Sequence, residues 1–354
     1  MRSTDESGRL FRQNLTQMNV AIAGAAVAID VLLFALATAG AVWFDALPLE
    51  IACGVLAGTA ISMMFILGHD AAHNCLFRTR RANAIVGRIL FLPCLHNRTL
   101  WLLQHNRLHH QDTNVKDRNS FSPFDAREFA ALPPWRRQVE RVYRSPLGFG
   151  VYYLVERWFK HKFFPLAGTP GSFRTRALVD FLLLMLWFAA FAAVVAKASL
   201  AAGHPAWQGL VFGVAFPFYV WNHLMGFTAF VQHTHPRARW TRASRAAKST
   251  AWQTDATVMV RFPAWYDVLS HNIMHHPAHH LNPSVPWYRL PAFERELPQS
   301  IADRMIVETM SPRYLLQLAA RCKLYEYETG QWMTFAAARR APLATAGATR
   351  NAAR

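Results

Sequence analysis

The ten residues "HNIMHHPAHH", 271 to 280, hold five of the sixteen histidines in a chain of 354 residues. Two earlier clusters share the bias: "GHDAAH" carries His69 and His73, and "QHNRLHH" carries His105, His109 and His110. Neutral imidazole is the commonest metal ligand among side chains. On a helix, residues i and i+4 share a face, so His69 and His73 approach one ion, and His105 and His109 share another face. His110 is turned about 100° further round, so that triplet serves two neighbouring metals. His276, His279 and His280 repeat the property in an HxxHH spacing. Eight neutral imidazoles buried together leave many donors and acceptors to satisfy, whereas metal ions take one nitrogen of each directly. Zinc in structural sites takes four ligands, so eight or more histidines imply at least two ions. Imidazole suits zinc, copper, iron and nickel alike.

Other chemistries are poorly represented. The four cysteines, Cys53, Cys75, Cys94 and Cys322, show no CxxC spacing, which argues against a disulfide framework, a zinc ribbon or a built-in iron–sulfur centre. No HExxH, flavin fingerprint or cytochrome b5-like HPGG segment is present, so a zincin-type protease is not indicated and any redox partner must be a separate protein. His96, His161, His204 and His223 stand alone and read as ordinary amphipathic side chains with satisfied hydrogen bonds.

The elements that must position the clusters are apolar. A composition 53% apolar with a formal charge of +17 suits a membrane protein better than a soluble domain. Residues 19–43, 51–68, 177–200 and 206–231 meet or approach the length of about 20 apolar residues that a bilayer core requires. The first contains Asp30. The third has Asp180 and Lys197 near its ends, where polar side chains reach the interface, and the fourth is interrupted by Pro217, Asn222 and His223. Residues 44–50 and 201–205 contain no Lys or Arg, whereas 69–176 contain eighteen, 232–354 contain sixteen and the first eighteen residues contain three. The positive-inside rule then places both long loops and both termini in the cytoplasm. The first apolar run is too long for a signal-peptide core and reads as an anchor. "AIVGRILFLPCL" and "SPLGFGVYYLV" are too short to span and are expected along the cytoplasmic interface, with Trp101, Trp135 and Trp158. Residues 339–354 read as a disordered tail.

With these motifs in order, the chain resembles the membrane fatty acid desaturases, in particular bacterial and cyanobacterial acyl-lipid enzymes related to the plant delta-12 type. The resemblance runs from "HDAAHNCLF" through "WLLQHNRLHHQDTN" and "FTAFVQHTHP" to "HNIMHHPAHHLNPSVPWYRL", ending near "CKLYEYETGQWMTF". It implies an all-α integral membrane fold, a single desaturase domain over residues 1–338. Four transmembrane helices would carry a cytoplasmic helical cap holding a histidine-rich di-iron centre. Two iron ions would use O2 as co-substrate and two electrons from an external donor, such as ferredoxin or a cytochrome b5-type protein, to remove two hydrogens from an acyl chain. The ligands it implies are His69, His73, His105, His109, His110, His276, His279 and His280, joined by His233, with His235 as the second match there. His271 aligns with a recurrent family histidine outside this ligand set, and His275 falls at a variable position. Asp70, Asp112 and Asp117 can orient imidazoles by accepting from the nitrogen that does not ligate, or serve as helix caps and solvated charges.

The substrate so implied is a fatty acyl chain on lipid, CoA or carrier protein, in contact with membrane lipid. The basic face suits an acidic partner or anionic headgroups, or simply follows from the positive-inside rule. No nucleic-acid motif accompanies it. The rivals are a hydroxylase on the same scaffold, a membrane metal-binding or transport protein, and a zinc-dependent hydrolase acting on lipid amides. A transporter needs ionisable residues near mid-membrane, and only Asp30 and His223 qualify.

Overall fold

The structure is a computed structural model that describes residues 15–165, 169–243 and 249–340. In chain order its principal helices are α1, Val20–Trp43; α2, Leu47–Ala72; α3, Arg80–Phe91; α4, Arg98–Trp101; α5, Gly171–Ala201; α6, Ala206–His233; α7, Thr250–Ala256; and α8, His276–Leu281. Of these, α1, α2, α5 and α6 are long and apolar enough to cross a membrane. α2 is enclosed over most of its apolar stretch, and the other three expose far more.

Three of the four long helices outrun the apolar windows that reveal them. α2 was expected over 51–68 and extends from Leu47 to Ala72, carrying His69 inside the helix and His73 at its C-cap. Hydropathy falls where polar side chains begin, but a helix continues until its backbone hydrogen bonds stop. α1 starts where the Asn19 side chain accepts from the amides of Ala21 and Ile22 at 3.0 and 3.2 Å, satisfying two of its orphan donors. Pro217 does not break α6. A π-helical turn over Val211–Ala215 precedes it, with the Phe216 amide bonded to the Val211 carbonyl five residues back. That wider turn absorbs the amide hydrogen proline lacks. α2 and α6 press together at glycine, where a Cβ on Gly58 would lie 2.6 Å from Val220 Cβ and 2.7 Å from the Pro217 carbonyl oxygen. Small residues permit this close backbone approach.

Asp180, expected to reach the interface, is buried instead, and so is Asp30 within the first span. Asp30 is 0% exposed and its Oδ2 lies 2.7 Å from His271 Nε2. Asp180 accepts from Arg88 Nε at 2.8 Å and from the Thr99 amide and hydroxyl at 2.9 and 2.6 Å. Trp101 is also buried, against the expectation of an interfacial position, whereas Trp135 is exposed.

The all-α expectation holds for the apolar helices and fails in the polar half. β1, Val258–Arg261, pairs in parallel with β2, Ile306–Thr309, and β3, Leu324–Glu326, pairs antiparallel with β4, Gln331–Met333. Segments such as "VMVR" and "IVET" are β-branched and too short for a helix, and pairing satisfies their backbone. The parallel pair brackets the segment that carries α8. The tail expected over 339–354 lies outside the described residues, apart from Arg339 and Arg340, which end a short helix, Phe335–Arg340.

Candidate metal centre

All nine histidines singled out as ligands meet at one end of the four apolar helices, in two groups. His69, His73, His105, His110 and His279 form one, and His109, His233, His276 and His280 form the other; within each group the candidate ligand atoms lie within 4.8 Å of one another. α2 supplies His69 and His73, and α6 ends on His233. α8 divides its three: His276 and His280, an i, i+4 pair, join the second group, and His279 turns to the first.

The second box divides differently from its α-helical reading. Residues Leu102–His109, which continue α4 without a break, are wound as a π-helix, and the His110 amide bonds the His105 carbonyl five residues back at 3.1 Å. In that winding i and i+5 face the same way. His105 therefore pairs with His110, and His109, expected beside His105, joins the other group. The inference that the triplet faces two neighbouring positions stands, with its members exchanged.

The imidazoles converge through one kind of atom. In the first group Nε2 of His69 lies 2.9 Å from that of His105, His105 3.1 Å from His110, and His110 3.2 Å from His279. In the second, His233 and His276 approach at 2.8 Å and His109 and His280 at 3.1 Å. Two facing Nε2 atoms can share at most one proton, so a knot of them is poorly satisfied by hydrogen bonding alone. Nitrogens about 2.1 Å from a shared ion would stand about 3 Å apart. His73 Nε2, buried within the first group, has no hydrogen-bond partner among the described residues. The donor set fits divalent transition metals.

Electrostatics agree. Burial, and secondarily the neighbouring imidazoles, hold His73, His105, His110, His276, His279 and His280 well below the usual histidine range. His109 is lowered in the same way, by burial first and then by His233. Neutral rings keep the lone pairs a cation needs.

The far nitrogens are tied back to the protein. His69 Nδ1 faces Asp70 Oδ1 at 3.3 Å, and Asp70 Oδ2 accepts the Trp287 amide at 2.8 Å. His280 Nδ1 lies 2.9 Å from Gln253 Oε1, on α7. His109 Nδ1 is paired with Asn119 Oδ1, and Asn119 Nδ2 donates to the Asp112 carbonyl at 2.5 Å. Of the three acids expected to orient rings, Asp70 contacts one, the Asp112 carbonyl accepts from Asn119, and Asp117 occupies a turn at φ 62° with its amide on Ser122 Oγ. Asn119 and Gln253 were missed, because a single amide side chain far along the chain gives no spacing signal.

His235, His275 and His271 are otherwise engaged. His235 Nδ1 accepts the Arg237 amide at 3.0 Å and Nε2 meets Glu308 at 3.0 Å; His275 Nδ1 meets Glu294 at 2.7 Å. His271 is held by Asp30. A narrow slot of about 80 Å³ between α2, α6 and the histidines is lined by Phe65, Ile66, Trp101, Met225 and Ile273, and it touches members of both groups, including His69, His105, His109, His233 and His276. Trp101 stacks on His105 with centroids 4.5 Å apart.

Four apolar helices closed at one end by a double knot of buried imidazoles define a histidine-box membrane enzyme. The chain belongs to the fatty acid desaturase family, whose profile matches residues 41–310. It is similar to the sn-1 oleoyl-lipid 12-desaturase of Synechocystis sp., 27% identical over 276 residues, covering 77% of this chain and 75% of the relative. The sn-1 oleoyl-lipid 12-desaturase of Anabaena variabilis is 26% identical over 280 residues, 78% of this chain and 77% of the relative. The chloroplastic omega-6 fatty acid desaturase of Spinacia oleracea is 25% identical over 279 residues, 78% of this chain and 60% of the relative. The protein is an oxidoreductase, a fatty acid desaturase.

Proposed function

We propose that the centre holds two iron ions, one among His69, His73, His105, His110 and His279 and one among His109, His233, His276 and His280. With O2 as co-substrate and two electrons from an external ferredoxin or cytochrome b5-type donor, it introduces a double bond into the acyl chain of a membrane lipid. The observation that carries this reading is the pair of adjacent Nε2 knots opening on one slot between α2 and α6. The lipid-linked substrate rests on the similarity to the sn-1 oleoyl-lipid 12-desaturases. By the charge asymmetry, the centre and both termini face the cytoplasm, and residues 1–338 act as a single desaturase domain.

Iron, when bound, supplies the oxidation of an unactivated methylene, which no side chain can perform. The protein's part is positioning and exclusion. Asp70, Asn119 and Gln253 hold His69, His109 and His280 by their far nitrogens, fixing ring orientation. Phe65, Ile66 and Trp101 keep water from the slot and hold the chain against the histidines. No general base is required of the protein.

The test is expression in a host of simple lipid composition with a competent electron donor, followed by mass spectrometry of fatty acid methyl esters. A species lighter than its precursor by two hydrogens, formed only with O2, is expected. A product heavier by one oxygen, or no oxygen-dependent change, would overturn the reading.

A further inference from the structure

We propose that a cavity on the outer flank of α3 and α5, apart from the histidine centre, binds the phosphate headgroup of an anionic phospholipid through Arg98, assisted by Arg88. The cavity, about 400 Å³, is lined by Ile85, Arg88, Ile89, Arg98, Leu183 and Leu186, among others. Its walls are lipid-facing: Ile85, Ile89, Leu183 and Leu186 are exposed.

Arg98 is the feature that calls for a ligand. It is only 8% exposed, its Nε is buried without a partner, and among the described residues no carboxylate lies within 4.0 Å of its guanidinium. The one acid at hand, Asp180, is already committed. One oxygen takes Arg88 Nε at 2.8 Å, and the other takes the Thr99 amide at 2.9 Å and hydroxyl at 2.6 Å. His96, which also lines the cavity, has both nitrogens engaged, with the Cys94 carbonyl at 3.2 Å and the Tyr153 hydroxyl at 3.1 Å. Burial first, and the Arg88 charge second, press against the protonated form of Arg98.

A guanidinium stays charged in proteins, and leaving one buried and unpaired is costly. An oxyanion answers that cost, since the planar fork matches phosphate oxygens in two parallel hydrogen bonds. Two guanidinium charges face one carboxylate, so the site favours an anion. Phosphate alone would occupy only the charged end of the cavity and leave its four aliphatic side chains uncovered. A phospholipid places its headgroup on Arg98 and Arg88 and lays an acyl chain along Ile89, Leu183 and Leu186, in the bilayer plane where α5 meets the interface.

The test uses the full-length protein, delipidated in detergent and titrated separately with phosphatidylglycerol, diacylglycerol of the same chains, and inorganic phosphate, with occupancy read by native mass spectrometry. Phosphatidylglycerol should bind at least about ten-fold more tightly than either other ligand, and Arg98→Gln should weaken it by about ten-fold or more. Binding unchanged in Arg98→Gln, diacylglycerol binding as tightly, or inorganic phosphate binding as tightly would each overturn the proposal. Should Arg98→Gln fail to fold, Ile89→Cys provides an independent reading. Its maleimide labelling should be slowed by phosphatidylglycerol and not by diacylglycerol at equal mole fraction, and labelling unaffected by phosphatidylglycerol would refute the site.

Discussion

Replacing Gln253 with leucine tests whether the far side of the histidine centre governs its affinity. Gln253 Oε1 lies 2.9 Å from His280 Nδ1 and accepts the Thr113 hydroxyl at 2.9 Å, while Nε2 donates to the His110 carbonyl at 3.2 Å. One side chain thus steadies a histidine of each group. With Nδ1–H donating to Gln253, the His280 lone pair must sit on Nε2, which faces His109. Gln253→Leu keeps the approximate bulk but removes the acceptor, leaving only Thr113 Oγ1 at 3.3 Å near His280 Nδ1. A buried donor without its partner costs about 1–3 kcal/mol. Loss of such an orienting contact lowers metal affinity about 10–100-fold, which is about 1.4–2.7 kcal/mol. Gln253→Glu retains an acceptor and adds charge, so it should hold metal at least as well as leucine does and closer to the parent. The assay is iron per protein after equilibration with graded chelator, at matched membrane protein levels. Parental iron retention in Gln253→Leu, with Gln253→Glu depleted, would refute the reasoning.

His233→Ala, His276→Ala, His279→Ala and His280→Ala should each lose turnover and bound iron. His275→Ala and His235→Ala should keep most of both, since those rings already bond Glu294 and Glu308; iron loss in His275→Ala with His276→Ala intact would shift the box by one residue. The metal-free protein should lose stability as pH falls below about 6.5. The lowered histidines resist protons in the fold that the unfolded chain accepts, so the unfolded state binds more protons there and stability rises with pH. Denaturant midpoints at pH 7.5 and 5.5 read this, and equal values would contradict it. Reporters fused after residue 46 and near 203 should lie outside and those near 120 and 330 inside; a reporter near 120 on the outer face would overturn the orientation.

What was legible in the residues was periodic or compositional. Four apolar runs announce themselves by length, and three histidine clusters by density. The grouping was only half legible, for a physical reason. At α8 the α-helical rule sorts His276 and His280 from His279, but at His105 to His110 the backbone is wound wider, and nothing in "QHNRLHH" by itself distinguishes an i+4 from an i+5 repeat. The partners behind the rings, Asn119 and Gln253, lie at separations of 10 and 27 residues from the histidines they contact. Such contacts depend on how distant segments fold together, which local spacing does not encode.

Asp30 shows how a polar residue in an apolar helix changes meaning once its partner is visible. Alone it invited a transport pathway. In the fold it meets His271, 241 residues away, at 2.7 Å. His271 and Asn272 adopt φ of 43° and 53°, a backbone conformation that costs about 1–3 kcal/mol for each non-glycine residue. It persists because the surroundings fix it. The His271 ring packs on Trp287 with centroids 4.5 Å apart, the Trp287 amide donates to Asp70 at 2.8 Å, and Asp70 faces His69 Nδ1 at 3.3 Å. A continuous line of contacts therefore runs from α1 to the first histidine group. An ion path would need Asp30 open to water, and it is fully enclosed. The acid and the strained turn serve one end: they hold the segment leading into α8 against the apolar helices, so that its histidines meet those of α2 and α6.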